Sequence, residues 1–174
     1  MKTAILTLFF CFTTVFAFSQ TVRNETELRL GTGLGGTWLT FEAMNGFKFG
    51  LFSVSAGVGL HAFGYPSFDE YDFKNTTTRT LIPVFINLKS DLMRGEIVPF
   101  LSCAIGYSFN AGNGFSGYGA YINPEVGLSF EVIDNFSLNF SLGYGLQSTQ
   151  EMNNYVSKER HYAGGITFRT GFSF

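Results

Sequence analysis

The chain has 174 residues, one domain's worth, with a formal net charge of −2 and only 14% charged residues against 22 Phe, 8 Tyr and 21 Gly. The weak negative charge, without basic runs, gives no electrostatic footprint for nucleic acid. So few charges cover a water-facing surface poorly, since soluble surfaces are roughly a quarter to a third charged.

The first segment reads as a cleavable signal peptide over residues 1–19. Lys2 supplies the positive start, residues 4–18 the apolar core, and Ala17-Phe18-Ser19 the small-x-small site before Gln20. Its apolar run is too short for a membrane-spanning helix, and no later segment approaches the roughly 20 apolar residues such a helix needs. Cys11 lies inside this leader after the bulky Phe10, where lipid attachment wants a small residue. Cleavage leaves Cys103 alone, which excludes an intramolecular disulfide.

Beyond the leader, alternation replaces helical periodicity. In Phe136-Ser-Leu-Asn-Phe-Ser-Leu-Gly-Tyr-Gly-Leu146 every even position is large and apolar and every odd one is Ser, Asn or Gly. A period of two is the mark of a strand with two chemically different faces. The breaks predict eight strands, near 23–33, 37–48, 51–63, 80–90, 96–109, 119–131, 136–148 and 160–174. Short turns are expected at Phe49-Gly50, 91–95 and 132–135, with long polar loops at 64–79, 110–118 and 149–159. The first connection, around Leu34-Gly35-Gly36, is short where the alternation calls for a long one.

The face opposite the apolar one is mostly Gly, Ser and Asn, which would solubilise a protein poorly. Turned inside out the pattern is coherent: large apolar residues meet lipid, and Gly57, Gly59, Gly106, Gly127, Gly143, Gly145, Gly165 and Gly171 line a narrow interior. They leave space there for Trp38, Phe85 and Phe100. Lipid admits β-structure only when every backbone group is paired, so the strands must close. The fold class expected is therefore all-β, an eight-stranded antiparallel up-and-down transmembrane β-barrel over residues 20–174. Outward Tyr107, Tyr144 and Tyr162 at the long-loop end, and Phe47, Phe130, Phe136, Phe172 and Phe174 at the short-turn end, fit two aromatic girdles. Pro83, Pro99 and Pro124 each delete a ladder donor, and a bulge is expected at Pro124, the deepest of the three.

On "NGFKFGLFSVSAGVGLH" (45–61), "LIPVFINLKSDL" (81–92), "VPFLSCAIGYSF" (98–109), "YINPEVGLSFEV" (121–132), "FSLNFSLGYG" (136–145) and the closing "GFSF", the chain resembles the small outer-membrane β-barrel family of Gram-negative bacteria, with its OmpA/OmpX-like and PorT-like barrels. The resemblance implies location in the outer membrane and contact with outer-membrane lipid and lipopolysaccharide. It also implies insertion by the outer-membrane insertion machinery, with Phe172 and Phe174 as the insertion signal. No cofactor or metal is implied, and a monomer is expected.

Charges on the inward face are Glu27, Arg29, Glu42, Lys48, Lys89, Glu96, Glu125, Glu131 and Arg169. Arg29, Glu42, Glu125 and Arg169 fall near mid-membrane and are expected to form an ion-pair plug, because an unpaired buried charge costs several kcal/mol. A gate for ions or small solutes is the alternative use of the same residues. His61 and His161 fall inward near the long-loop mouth, but no serine and carboxylate complete a hydrolytic set and no third ligand completes a metal site. A lipid-modifying barrel enzyme and a secreted lipocalin-like carrier are the rival classes. The expected role is structural, or the presentation of surface loops for adhesion or interaction. One candidate loop is Tyr65–Phe73, which alternates aromatics with acids, although it reads first as a solvated segment packing its rings at the headgroups and only second as a partner-binding edge. Asn75-Thr-Thr77 matches a glycosylation acceptor only by chance in a polar loop, and Cys103 reads as a small apolar residue on the lipid face.

Overall fold

A computed structural model describes residues 22–34, 38–68, 74–111, 116–150 and 160–174. The expected signal-peptide segment 1–19 lies outside these residues, as do 112–115 and 151–159 of the predicted long loops, whereas β5 reaches Asn110 and β6 starts at Ser116. Eight strands follow one another: β1 (Val22–Leu34), β2 (Trp38–Phe49), β3 (Phe52–Phe68), β4 (Lys74–Asp91), β5 (Ile97–Asn110), β6 (Ser116–Ile133), β7 (Phe136–Gln150) and β8 (Arg160–Ser173). Each pairs antiparallel with its neighbours in sequence, and β8 returns to β1 to close the barrel. The last ladder rungs at this seam join Thr26 and Phe174, whose N–H and carbonyl groups exchange hydrogen bonds at 2.8 and 2.9 Å.

The register fixes the barrel's shape. A walk along paired residues from Gly33 passes Thr167, Gly143, Glu125, Ser102, Lys89, Ser53 and Lys48 and meets β1 again at Arg23, ten residues below its start. Eight strands with this stagger tilt by about 35–45° and leave an interior that side chains can fill.

Parity along each strand separates the two faces. Val58, Val84, Ile86, Ile105 and Val126 stand outward and remain about half exposed, whereas Glu42, Phe85, Phe100, Ala104, Tyr121 and Asn123 are buried inside. Glycine makes the inner packing feasible. A Cβ on Gly57 would lie 2.6 Å from the Phe85 ring and 2.9 Å from Met44 Cβ, and one on Gly127 would strike the Phe100 ring. At the short-turn end, Gly50 (φ 63°) and Asn135 (φ 69°) adopt the left-handed conformation that tight turns require.

Three expectations are corrected. Residues 64–79 are not one long loop: β3 continues to Phe68 and β4 begins at Lys74, with Phe68 opposite Lys74, so paired backbone takes up most of the segment. No extra residue sits at Pro124, which faces outward in register with Cys103. Its missing N–H interrupts the β6–β7 pairing between Ile122 and Glu125 without shifting it. The register shifts lie instead at Ser108/Phe109 against β6 and at Glu131/Ile133 against β7. Finally, Glu131 and Glu96 are exposed at the short-turn rim, where strand ends release them from the lumen, and the Glu131 N–H donates to the Glu96 carbonyl at 2.9 Å.

Candidate functional site

The middle of the lumen holds one connected set of polar side chains, delivered by the inward parity of several strands. β1 supplies Glu27 and Arg29, two residues apart and therefore on the same face. Arg29 grips Glu27 in a bidentate pair, Nε donating to Oε1 at 2.8 Å and Nη2 to Oε2 at 3.0 Å. Its remaining Nη1 reaches across the barrel to Glu125 Oε2 at 3.2 Å.

Glu125, on β6, is the hub. Its Oε1 accepts from Arg169 Nη1 and from Asn123 Nδ2, and its Oε2 from Arg29, Ser102 Oγ and Ser141 Oγ, the last two at 3.2 Å. A carboxylate offers about four lone-pair positions, so this one is saturated. Arg169, from β8, bridges onward: Nη2 lies 3.0 Å from Glu42 Oε1 and donates to the Tyr121 hydroxyl at 2.6 Å. Tyr121 in turn donates to Glu42 Oε1 at 3.1 Å. The chain of contacts ends at His61, whose Nε2 stands 2.9 Å from Glu42 Oε1. An ionised carboxylate can only accept, so Nε2 carries the proton in that bond.

Arg29, Glu42, Glu125 and Arg169, picked out from the sequence, are thus brought together in a single network, each of them buried. Charge within it nearly cancels. Three carboxylates, Glu27, Glu42 and Glu125, face Arg29 and Arg169, and the buried Lys89 adds a third cation from β4, its Nζ 4.4 Å from the centre of the Phe100 ring. That ring position is a cation–π contact, and it replaces some of the hydration an ammonium loses on burial. Lower down, Lys48 pairs with Asp91 at 2.6 Å with the lysine one-third exposed.

Sequence reading missed the residues that knit the charges together. Tyr121 is fully buried, edge-on to His61 (5.3 Å between ring centres) and to Phe85 (5.9 Å). Asn123 joins Glu125 to Thr167 Oγ1, which donates to Asn123 Oδ1 at 3.2 Å. Asn139 Nδ2 holds Glu27 Oε1 at 2.8 Å. The signal was available, since Tyr121 and Asn123 share the odd parity of Glu125. The side chains of Trp38, His161 and Tyr162 lie outside the described residues. Among the described residues no group of three His, Cys, Asp or Glu converges as a metal site would require, and no serine hydroxyl hydrogen-bonds His61.

Phe172 and Phe174 project outward beside the seam. Their rings stack at 6.5 Å, and Phe172 stacks on Phe136 of β7 at 6.1 Å. With the exposed Phe47 they form an aromatic band at the short-turn end. Tyr107 and Phe109, 5.4 Å apart, stand toward the other end.

No protein-family model matches the chain, and no curated protein matches it. Among solved structures, the barrel is similar to Neisserial surface protein A, with a TM-score of 0.53 at 11% identity, covering 87% of this chain and 94% of that one. The N-terminal β-barrel domain of Pseudomonas aeruginosa OprF gives a TM-score of 0.50 at 14% identity, covering 89% of this chain and 98% of that domain. The outer membrane enzyme PagL gives 0.43 at 7% identity over 86% and 98%. At these identities the likeness concerns the fold: a closed, antiparallel, eight-stranded barrel of the small outer-membrane kind.

Proposed function

We propose that this protein is an exported outer-membrane barrel whose lumen is closed by its own side chains. Its role is structural, or the presentation of the connections at the long-loop end to a partner outside the cell. The membrane reading is supported by the belt of half-exposed Val, Ile, Leu and Phe around the whole barrel, far larger than the few hundred Å² of contiguous apolar surface a soluble monomer tolerates. A lipocalin-like carrier would turn that face inward.

The observation that carries the closed-lumen reading is the network from Glu27 to His61, with Phe85, Phe100 and Tyr121 occupying the remaining space. On this reading a solute path opens only when Arg29 or Arg169 moves, and moving either strands buried carboxylates. Planar-bilayer recording tests this. Wild type should show at most small, intermittent currents, and Arg29→Ala and Arg169→Ala should raise them. Large steady wild-type currents would establish the gated-channel reading instead.

Nor is the protein read as an enzyme, because His61 is committed to Glu42 inside the lumen and, among the described residues, no serine hydrogen-bonds it. Mass spectrometry of lipid A incubated with the purified barrel should show no acyl chain lost or transferred. For biogenesis, Phe172 and Phe174 are assigned the insertion signal, from their position on the strand that closes the barrel. Replacing both with Asn should lower the outer-membrane level of the protein more than any single change in a long connection, as read by fractionation and the gel shift between unheated and boiled samples.

A further inference from the structure

On the outer face, the closing seam is not smooth. Two rows of paired residues cross it: Leu30 (β1), Thr170 (β8) and Phe140 (β7), and above them Leu39 (β2), Thr32 (β1) and Phe168 (β8). Each row has a threonine between two large apolar residues. Thr32 and Thr170 are diagonal neighbours across the β1–β8 pair, and such positions share one face of the sheet. Their short side chains make a floor, with Leu30, Leu39, Phe140 and Phe168, each about half exposed, as its walls. The result is a groove of about 470 Å³.

A second feature lies on the same strands toward the short-turn end. Within the aromatic band, between Phe47 opposite Asn24 and Phe174 opposite Thr26, β1 and β2 present Asn24, Thr26 and Asn45 on the outer surface. Asn45 Nδ2 donates to Asn24 Oδ1 and to Thr26 Oγ1, both at 2.8 Å. That arrangement orients Asn45 Oδ1 as an acceptor and leaves the Asn24 amide as a donor toward the surroundings. From Thr26 to Thr32 is six residues along β1, roughly 20 Å at the rise of a strand. Polar cluster and apolar groove therefore lie on the same strand, with Leu28, Leu30 and Phe41 on the outer face between them.

We propose that these two features together bind one phospholipid of the leaflet at the short-turn end, with the headgroup against Asn24 and Asn45 and an acyl chain passing over Leu28 and Leu30 into the Thr32/Thr170 groove. The proposal rests on the membrane reading above. A second barrel does not fit, because a convex wall cannot enter a groove one side chain deep, and lipid offers no hydrophobic drive for such docking. A hydrocarbon chain is thin and flexible enough to enter. Hydrogen-bonding groups at the headgroup level match the glycerol and phosphate region, which an apolar partner would leave unpaired.

The test is native mass spectrometry of the full protein, extracted from membranes and reconstituted with palmitoyl-oleoyl phosphatidylethanolamine, against Thr32→Leu/Thr170→Leu, Asn45→Leu and the control Cys103→Leu on the lipid face of β5. One phospholipid should survive activation that strips the rest from wild type and control. Filling the groove should lower that occupancy about tenfold, the equivalent of about 1.4 kcal/mol, and Asn45→Leu should lower it less. Equal retention by the filled variant, no retained lipid on wild type, or retention of lipid A alone would each overturn the site. All four proteins are first checked for the unheated-versus-boiled shift in the membrane fraction. A barrel absent from that fraction refutes the membrane reading itself, whereas a barrel present there without lipid refutes only the site.

Discussion

The two faces of the same eight strands follow opposite rules. Inside, Glu125 has five partners contributed by β1, β5, β6, β7 and β8, and its position leaves little freedom. Outside, Ile86, Ile105 and Ile122 form a row of cross-strand neighbours whose only shared requirement is to be apolar and β-compatible. The inner face carries specificity through named contacts, the outer one solvation through bulk composition. Substitutions should therefore be judged by face before they are judged by residue type.

The sharpest way to break the inner rule is Glu125→Ala. It leaves Arg29 and Arg169 facing each other without their shared carboxylate, and removing one member of a buried ionic group costs about 3–5 kcal/mol. Urea-driven unfolding from lipid vesicles should show the midpoint fall accordingly, with Glu125→Gln recovering part of the loss because an amide still accepts hydrogen bonds. The outer rule breaks next, through Ile105→Arg. A guanidinium at that depth of a lipid-facing strand costs about 2–4 kcal/mol, while Ile105→Leu should be indistinguishable from wild type in the same assay. The smallest effect sharpens the contrast from within the lumen. Lys48 is one-third exposed but its partner Asp91 is buried, so Lys48→Ala, which leaves that carboxylate without its cation near the rim, should cost about 1–3 kcal/mol. A loss comparable to that of Glu125→Ala would mean that the rim, not the midsection, holds the barrel together.

Much of this was legible in the sequence because a strand's period of two assigns every residue to a face. Phe136–Leu146 alone gives the outward Phe140, Leu142 and Tyr144 and the inward Asn139 and Gly143, as the structure has them. The same parity put Arg29, Glu42, Glu125 and Arg169 in the lumen. Which of them touch was not legible, since contacts across the lumen depend on the ten-residue stagger, a property of all eight registers together. Tyr121 went unread for a different reason: tyrosine at a strand suggests a lipid interface, and only its odd position says otherwise. Residues 64–79 misled because Gly64, Pro66 and the run of threonines carry turn-like composition, yet long-range pairing of β3 with β4 overrides local preference.

The lengths of β3 and β4 have a further consequence. Crossing a bilayer takes roughly 9–11 strand residues, but these two have 17 and 18. Allowing for tilt, the surplus raises their hairpin by roughly 15–20 Å above the hydrocarbon. Height decides what can touch what. Paired backbone holds its stand-off distance, so under the proposed outer-membrane placement a bulky ligand kept off the lipid surface can still reach the end of the hairpin, where Phe68 pairs with Lys74. A peptide tag grafted there should be captured by an antibody on whole cells, where the same tag at the shorter β1–β2 connection remains shielded.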